Sequence, residues 1–133
     1  MVISDNTLDY IGYIGIGFVG ERSLVEHNLI QHYCMTTDDG AVISTWNSDY
    51  NLPGSAGTKI RKNLVLNAIG APDGIPDHST FANGIYLEDR IHHVVIEQNT
   101  VSGTDVGIFV HNNRDDTVRN NVSYGNKLGQ LMT

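Results

Sequence analysis

The sequence is short of the residues on which many small folds depend. It holds one cysteine, Cys34, so neither an internal disulfide framework nor a cysteine-based zinc site is available. Alanine occurs five times and lysine three times, and this scarcity of strong helix formers argues against a helical bundle. Positive charge is scarce too. Eight Lys and Arg against fifteen Asp and Glu give a net charge of −7, and no basic stripe is present to follow a phosphate backbone, so no nucleic-acid partner is expected. No apolar run approaches the roughly 18 residues that cross a bilayer, so no membrane partner is expected either. The opening MVISDNTLDY lacks the basic and apolar regions of a leader, which leaves a cytosolic chain or a leader outside this sequence. The 133 residues correspond to a single domain, 1–133.

What is abundant is asparagine (13), glycine (14), valine (12) and isoleucine (13). β-Branched residues favour pleated strands, while Asn and Gly favour tight corners. These residues also recur in phase. The motif apolar-polar-polar-Asn, followed by mostly apolar residues, occurs as VEHNLI, IRKNLV, IEQNTV and VRNNVS, aligning Asn28, Asn63, Asn99 and Asn121. A second motif is a glycine-led strand: GAVIST from Gly40, GIYLED from Gly84 and GIFVHN from Gly107, with a weaker copy GIGFVG from Gly15 and GQLMT from Gly129. The period is 22 to 23 residues where nothing intervenes, and two Pro- and Gly-containing stretches, about 46–58 and 68–82, read as inserted loops.

A helix-free repeat of that length, with short strands and sharp corners, predicts a parallel β-solenoid of about five coils. Successive coils pair in parallel about 4.8 Å apart, so like residues lie above one another. An inward corner asparagine can then bond to the asparagine of the next coil. The expected registry sets Gly84 over Gly107 and Asn99 over Asn121.

These motifs resemble the right-handed parallel β-helix repeat proteins, the pectate-lyase-like superfamily, over about residues 12 to 131. The blocks DDGAVISTW, GIYLED and GIFVHNNRDDTVRNN look closest to β-helix glycoside hydrolases of the family 141 kind, which are several times longer. The resemblance implies an all-β right-handed parallel β-helix. It also implies a carbohydrate-active protein, of a group that is mostly bacterial and often exported. The polygalacturonase signature is absent apart from Asp38-Asp39, and so is the calcium and arginine arrangement of pectate lyases.

Alternation along the glycine-led strands turns Ala41, Ile43, Ile85, Leu87, Ile108 and Val110 inward. Aligning the glycines predicts one outward column of Ser44, Glu88 and His111, and a second of Thr45, Asp89 and Asn112. Tyr86 lies beside Phe109, and Trp46, Asp49, Tyr50 and His78 leave the coil near the same face. This reads as a groove for a polysaccharide or oligosaccharide, in which aromatic rings cover sugar faces and polar groups bond hydroxyls. Glycosidic hydrolysis needs two carboxyl groups, here Asp38 or Asp39 with Glu88 or Asp89, and His111 stands close enough to share a proton. Trp46, Tyr50, Tyr86, Phe109 and Asn112 are the substrate-binding candidates. Lyase chemistry would need a basic residue, and Arg90 is the only arginine nearby.

Plainer readings stand beside these. TDDG is also an ordinary turn. Glu88 and Asp89 also read as a solvated strand end, and His111 as a surface residue. His27 and His32 read as structural, NRDD as a polar turn and Cys34 as a small core residue. His92 and His93 lack a third ligand at strand or helix spacing, so no metal and no cofactor are expected. The glycines at 12, 15, 17 and 20 lack the Lys-Ser/Thr and helix of a phosphate loop. No helix caps the first coil, and uncapped coils invite end-to-end pairing, so a homo-oligomer through the coil ends is expected, or a piece of a longer protein. The second functional reading is a non-catalytic β-solenoid that binds a glycan or builds an assembly.

Overall fold

The computed structural model describes all residues except 74–78. Fifteen short strands follow one another among the described residues, with no helix. Each coil contributes one strand to each of three sheets. The first sheet stacks β1 (Val2–Ser4), β4 (Leu24–Glu26), β7 (Lys59–Arg61), β10 (Val95–Glu97) and β13 (Thr117–Arg119). The second stacks β2 (Thr7–Asp9), β5 (Leu29–Gln31), β8 (Leu64–Leu66), β11 (Thr100–Ser102) and β14 (Val122–Tyr124). The third stacks β3 (Ile16–Gly17), β6 (Gly40–Thr45), β9 (Ala82–Leu87), β12 (Val106–Val110) and β15 (Gly129–Met132). Every pairing is parallel, and the architecture is the expected parallel β-helix of five coils. The right-handed sense is the one that parallel crossover connections almost always take.

The core is a set of stacked columns. Val25, Ile60, Ile96 and Val118 lie in register in the first sheet, and Ile16, Ile43, Ile85, Ile108 and Leu131 in the third. Like side chains repeated at strand spacing pack in the same rotamer against their own copies, which suits the stiff β-branched residues used here. Ile85 pairs with Ile108, which sets Gly84 beside Gly107 as expected. There the backbones approach so closely that a Cβ on Gly84 would strike the Gly107 carbonyl and the Val101 side chain.

The corner between the first and second sheets explains the recurring asparagine. The Oδ1 of Asn63 accepts both the backbone N–H (3.1 Å) and the side-chain amide (2.9 Å) of Asn28. Asn99 does the same for Asn63, and Asn121 for Asn99. Each Nδ2 also donates to a carbonyl of the preceding coil, Val25 for Asn63 and Ile60 for Asn99. Asn6 starts the ladder by bonding to Asn28, and its motif ISDNTL is a first copy that the sequence analysis missed. The residue before each ladder asparagine turns the corner in the left-handed region: Asp5, His27, Lys62, Gln98 and Asn120 all have φ between 55° and 60°. His27 and Lys62 thus meet a backbone requirement of the bend.

Replacing Asn99 by Ala removes the acceptor of two buried donors and the side-chain donor to the Ile60 carbonyl. Chemical unfolding should show a loss of roughly 3 kcal/mol or more, whereas Asn6→Ala at the exposed first rung should lose less than about 1 kcal/mol. Equal losses at the two positions would mean that the ladder does not hold the corners.

Candidate functional site: an aromatic and acidic face on the third sheet

The outward face of the third sheet gathers most of the candidate residues, in columns shifted from those expected. Gly40 pairs with Ala82, not with Gly84, because β9 begins two residues ahead of its glycine. A shift of two keeps every side chain on its face but changes its neighbours. Ser44 therefore lines up with Tyr86 and Phe109. The bonds Glu88 N–H to Thr45 O and His111 N–H to Leu87 O continue the ladder and align Trp46 with Glu88 and His111. Asn47, in the place expected for Thr45, aligns with Asp89 and Asn112. Thr45 is buried, and its hydroxyl bonds to that of Ser55.

The aromatic column is continuous. Tyr86 and Phe109 stack with centroids 4.8 Å apart at 13°, Phe81 meets the edge of Phe109 at 5.9 Å, and His111 lies 5.3 Å from Phe109. Phe109 is only 9% exposed, so it supports Tyr86 and offers little surface of its own. Trp46 is 53% exposed and borders a cleft of about 290 Å³ lined by Ile14, Phe18, Val19, Ser44 and Glu88. The Tyr50 hydroxyl donates to the Asn112 carbonyl and lies 3.3 Å from Asn112 Oδ1, and the Arg114 guanidinium lies 4.9 Å over its ring, so Tyr50 clamps the 46–58 loop to the coil two further on. Asp49 caps its own turn, with Oδ1 accepting from Asn51. His78 falls outside the described residues.

The acidic residues divide by role. Both oxygens of Asp38 accept the Phe81 backbone N–H at 2.8 Å, so this carboxylate caps the approach to β9. Asp39 is exposed at a left-handed corner, φ 55°, and its carbonyl accepts the Tyr13 hydroxyl at 2.8 Å. Glu88 accepts a hydrogen bond from Ser44 Oγ. Asp89 Oδ1 lies 3.2 Å from His111 Nδ1 and accepts from Asn112 Nδ2 at 3.2 Å. Burial, then the negative charges of Glu88 and Asp39, push the Tyr86 phenol up to about 12. The Tyr13 phenol is also raised, by burial first and then by Asp39. Asp39 and Glu88 thus bear on the same pair of tyrosines. Tyr13, Ile14, Phe18 and Val19 were not singled out in the sequence. Phe18 and Val19 belong to the weak strand copy GIGFVG, and Tyr13 and Ile14 stand just before it.

The donor set for a metal is sparse. Among the described residues no three His, Cys, Asp or Glu side chains converge on one point. Cys34 is fully buried, and burial followed by the charge of Asp38 pushes its thiol up to about 12, so it offers no thiolate. His92 and His93 bring their Nδ1 atoms to 2.9 Å, but His92 Nε2 also meets the Leu52 carbonyl at 3.1 Å. That contact requires a proton on His92 Nε2, so His93 Nδ1–H donates to His92 Nδ1 in the neutral pair.

The raised phenol has a measurable consequence. Tyr86 titrates near 10 when unfolded and near 12 when folded. Between those values the unfolded chain has lost a proton that the folded chain retains, so stability falls as pH rises through this window. Melting temperatures taken from about pH 9 upward should fall less steeply for Tyr86→Phe than for the unaltered chain. Parallel curves would mean that the phenol does not sit in this acidic, partly buried setting.

Comparison with known proteins places this architecture. No curated protein and no solved structure matches the chain significantly. A family described as "Periplasmic copper-binding protein (NosD)" matches residues 51–133, a stretch that runs from the first inserted loop through the last three coils. That stretch is more than half of the sequence, and the chain belongs to the NosD family.

Proposed function

We propose that the outward face of the third sheet binds a neutral glycan, with Trp46 as the platform and Glu88 as the principal hydroxyl acceptor. The observation that carries this reading is an exposed indole at the rim of a cleft whose polar edge is Glu88, already oriented by Ser44. An aromatic face covers the C–H face of a pyranose, and a carboxylate held by a neighbouring hydroxyl meets a sugar hydroxyl without further ordering. Asp39, Glu88 and Asp89 make this face negative, which favours neutral sugars over uronates.

A second reading, hydrolysis of the bound glycan, draws on one further observation. With Asp38 capping β9, Asp39 and Glu88 are the two carboxylates whose charges both raise the Tyr13 and the Tyr86 phenol. In such a pair one carboxyl group protonates the departing glycosidic oxygen, and the other activates water or attacks the anomeric carbon.

The family description names copper. Among the described residues no three His, Cys, Asp or Glu side chains converge, and Cys34 is buried with its thiol protonated, so those side chains build no ready copper centre. The glycan reading therefore rests on the chain's own residues.

Trp46 is the only tryptophan, so its fluorescence reports on the site alone. Titration with a panel of neutral oligosaccharides should give a saturable shift for at least one member, and a polyuronate should give none. By calorimetry, Trp46→Ala should weaken that binding by roughly tenfold or more, a loss of about 1.4 kcal/mol. Absence of a saturable response across the panel would overturn the proposal. For hydrolysis, Asp39→Asn should abolish release of reducing ends while binding persists. Equal turnover in this variant would assign the chemistry elsewhere.

A further inference from the structure

The loop that begins with Trp46 is tied down, outside the cleft, by a chain of hydrogen bonds that ends on two imidazoles. The Leu52 carbonyl accepts from Asn47 Nδ2 at 3.0 Å and meets His92 Nε2 at 3.1 Å. Asn47 is buried and follows Trp46 directly, so Leu52 joins the base of the exposed indole to the turn between β9 and β10. His92 Nδ1 in turn lies 2.9 Å from His93 Nδ1, and the two rings meet edge to face. His92 is half-buried and His93 is exposed, so protons reach the pair from solvent.

This arrangement holds only while one of the two Nδ1 atoms is without a proton. In the neutral pair His93 Nδ1–H donates to His92 Nδ1, and His92 Nε2–H donates to Leu52. A first proton from solvent can sit on His93 Nε2 and leaves every bond in place. A second must go to His92 Nδ1, which sets the N–H groups of two cations against each other at 2.9 Å, and one ring must turn. An acceptor stands beside the pair. Asp116 Oδ1 accepts the Val94 N–H at 2.8 Å, while its Oδ2 is buried and has no partner among the described residues. Burial raises the Asp116 carboxyl, and the Val94 N–H followed by the charges of His92 and His93 acts in the opposite sense. The other ionisable groups around the pair are Asp115 and Arg114 on the turn that holds Asp116, Arg90 on the pair's own turn, Asp49 and Tyr50 in the loop, and Arg22, whose N–H donates to the Ala56 carbonyl. Arg114 is already engaged over the Tyr50 ring.

We infer that His92 and His93 form a pH-sensitive latch on the Trp46 loop: the pair holds Leu52 while it carries at most one added proton, and the doubly protonated pair turns His92 to Asp116 Oδ2 and releases Leu52. The Tyr50 clamp on Asn112 and Arg114 contains no imidazole and stays closed, so the release is confined to the stretch from Asn51 to Ala56 and to the Asn47 amide that shares the Leu52 carbonyl. The latch is a two-state element of the kind through which protonated histidines act as switches. Any effect on affinity in the cleft rests on the glycan reading, whereas the latch itself does not.

The test is hydrogen exchange on the full chain without any ligand, with rates corrected for the intrinsic pH dependence of amide exchange. The Leu52 and Ala56 amides report on the loop, since they donate to Asp49 and Pro53 within it. Their protection should fall by roughly tenfold or more between about pH 8 and about pH 5, across the ordinary imidazole range, while the core strands keep theirs. Trp46 fluorescence is a poorer readout, because the His111 imidazole shares the Trp46 row. Asn in place of His93 accepts the left-handed corner, φ 57°, and its amide either donates to His92 Nδ1 or accepts from it, so His93→Asn should keep the loop protected throughout. Asp116→Asn keeps an acceptor for Val94 but removes the charge that draws the turned imidazole, so the loss of protection should move to lower pH. Unchanged protection of Leu52 and Ala56 in the unaltered chain over this range overturns the inference. An equal loss in His93→Asn, or a loss at the same pH in Asp116→Asn, overturns the roles given to these residues.

Discussion

The structure depends on lateral registry between coils, and the corner asparagines hold that registry. Each buried asparagine accepts two hydrogen bonds from the asparagine of the coil before it and returns its amide to that coil's backbone. A strand slipped by one residue would turn its inward side chains to solvent and lose these bonds together. The ladder also fixes where the left-handed residue falls, one position before each asparagine, so five non-glycine residues adopt a conformation that costs about 1–2 kcal/mol each. The bends persist because the bonds on either side of them determine the backbone.

A stack pinned at one corner tolerates irregularity at another. The stretches between β6 and β7 and between β8 and β9 lengthen two coils, yet β7 still pairs with β4 in the register of the uninterrupted coils, and β9 pairs with β6 after a shift of only two residues. Trp46 stands where the first of these loops leaves the third sheet, and the clamp of Tyr50 against Asn112 and Arg114 ties that loop to the coil two further on. The rigid element supplies Ser44, Tyr86 and Glu88, and the departing loop supplies the exposed ring. Sites on solenoids arise readily in this way, because a loop can change without disturbing the core.

The same economy makes acidic residues ambiguous in this fold. Asp38 accepts the Phe81 N–H, Asp105 the Ala82 N–H and Asp116 the Val94 N–H, each reaching a backbone donor of another coil. Asn113 and Asn126 do so for Ile91 and Thr104. A carboxylate beside a turn thus has a structural task by default, closing the backbone donors that a corner would leave unpaired. Asp38 and Asp39 are neighbours in sequence and differ completely in this respect, since one is held by Phe81 and the other points to solvent.

The residues themselves determined the architecture. Asn at a fixed phase, isoleucine and valine at alternate positions and a period of 22 to 23 residues admit few solutions other than stacked parallel coils, because only stacking satisfies a repeated buried amide and a repeated apolar face at once. The facing of each strand was legible for the same reason, as alternation is a local property of the chain. The column partners were not. They depended on where β9 begins, and Ala82 rather than Gly84 faces Gly40 because the insertion before it, unlike an uninterrupted repeat, does not carry the period across. Tertiary structure alone decided that Trp46 aligns with Glu88, that Tyr13 joins Tyr86, and that Asp38 and Tyr50 serve the scaffold. Each of these depends on contacts between residues of different coils, and their relative height is set by the stacked hydrogen bonds and not by their spacing along the chain.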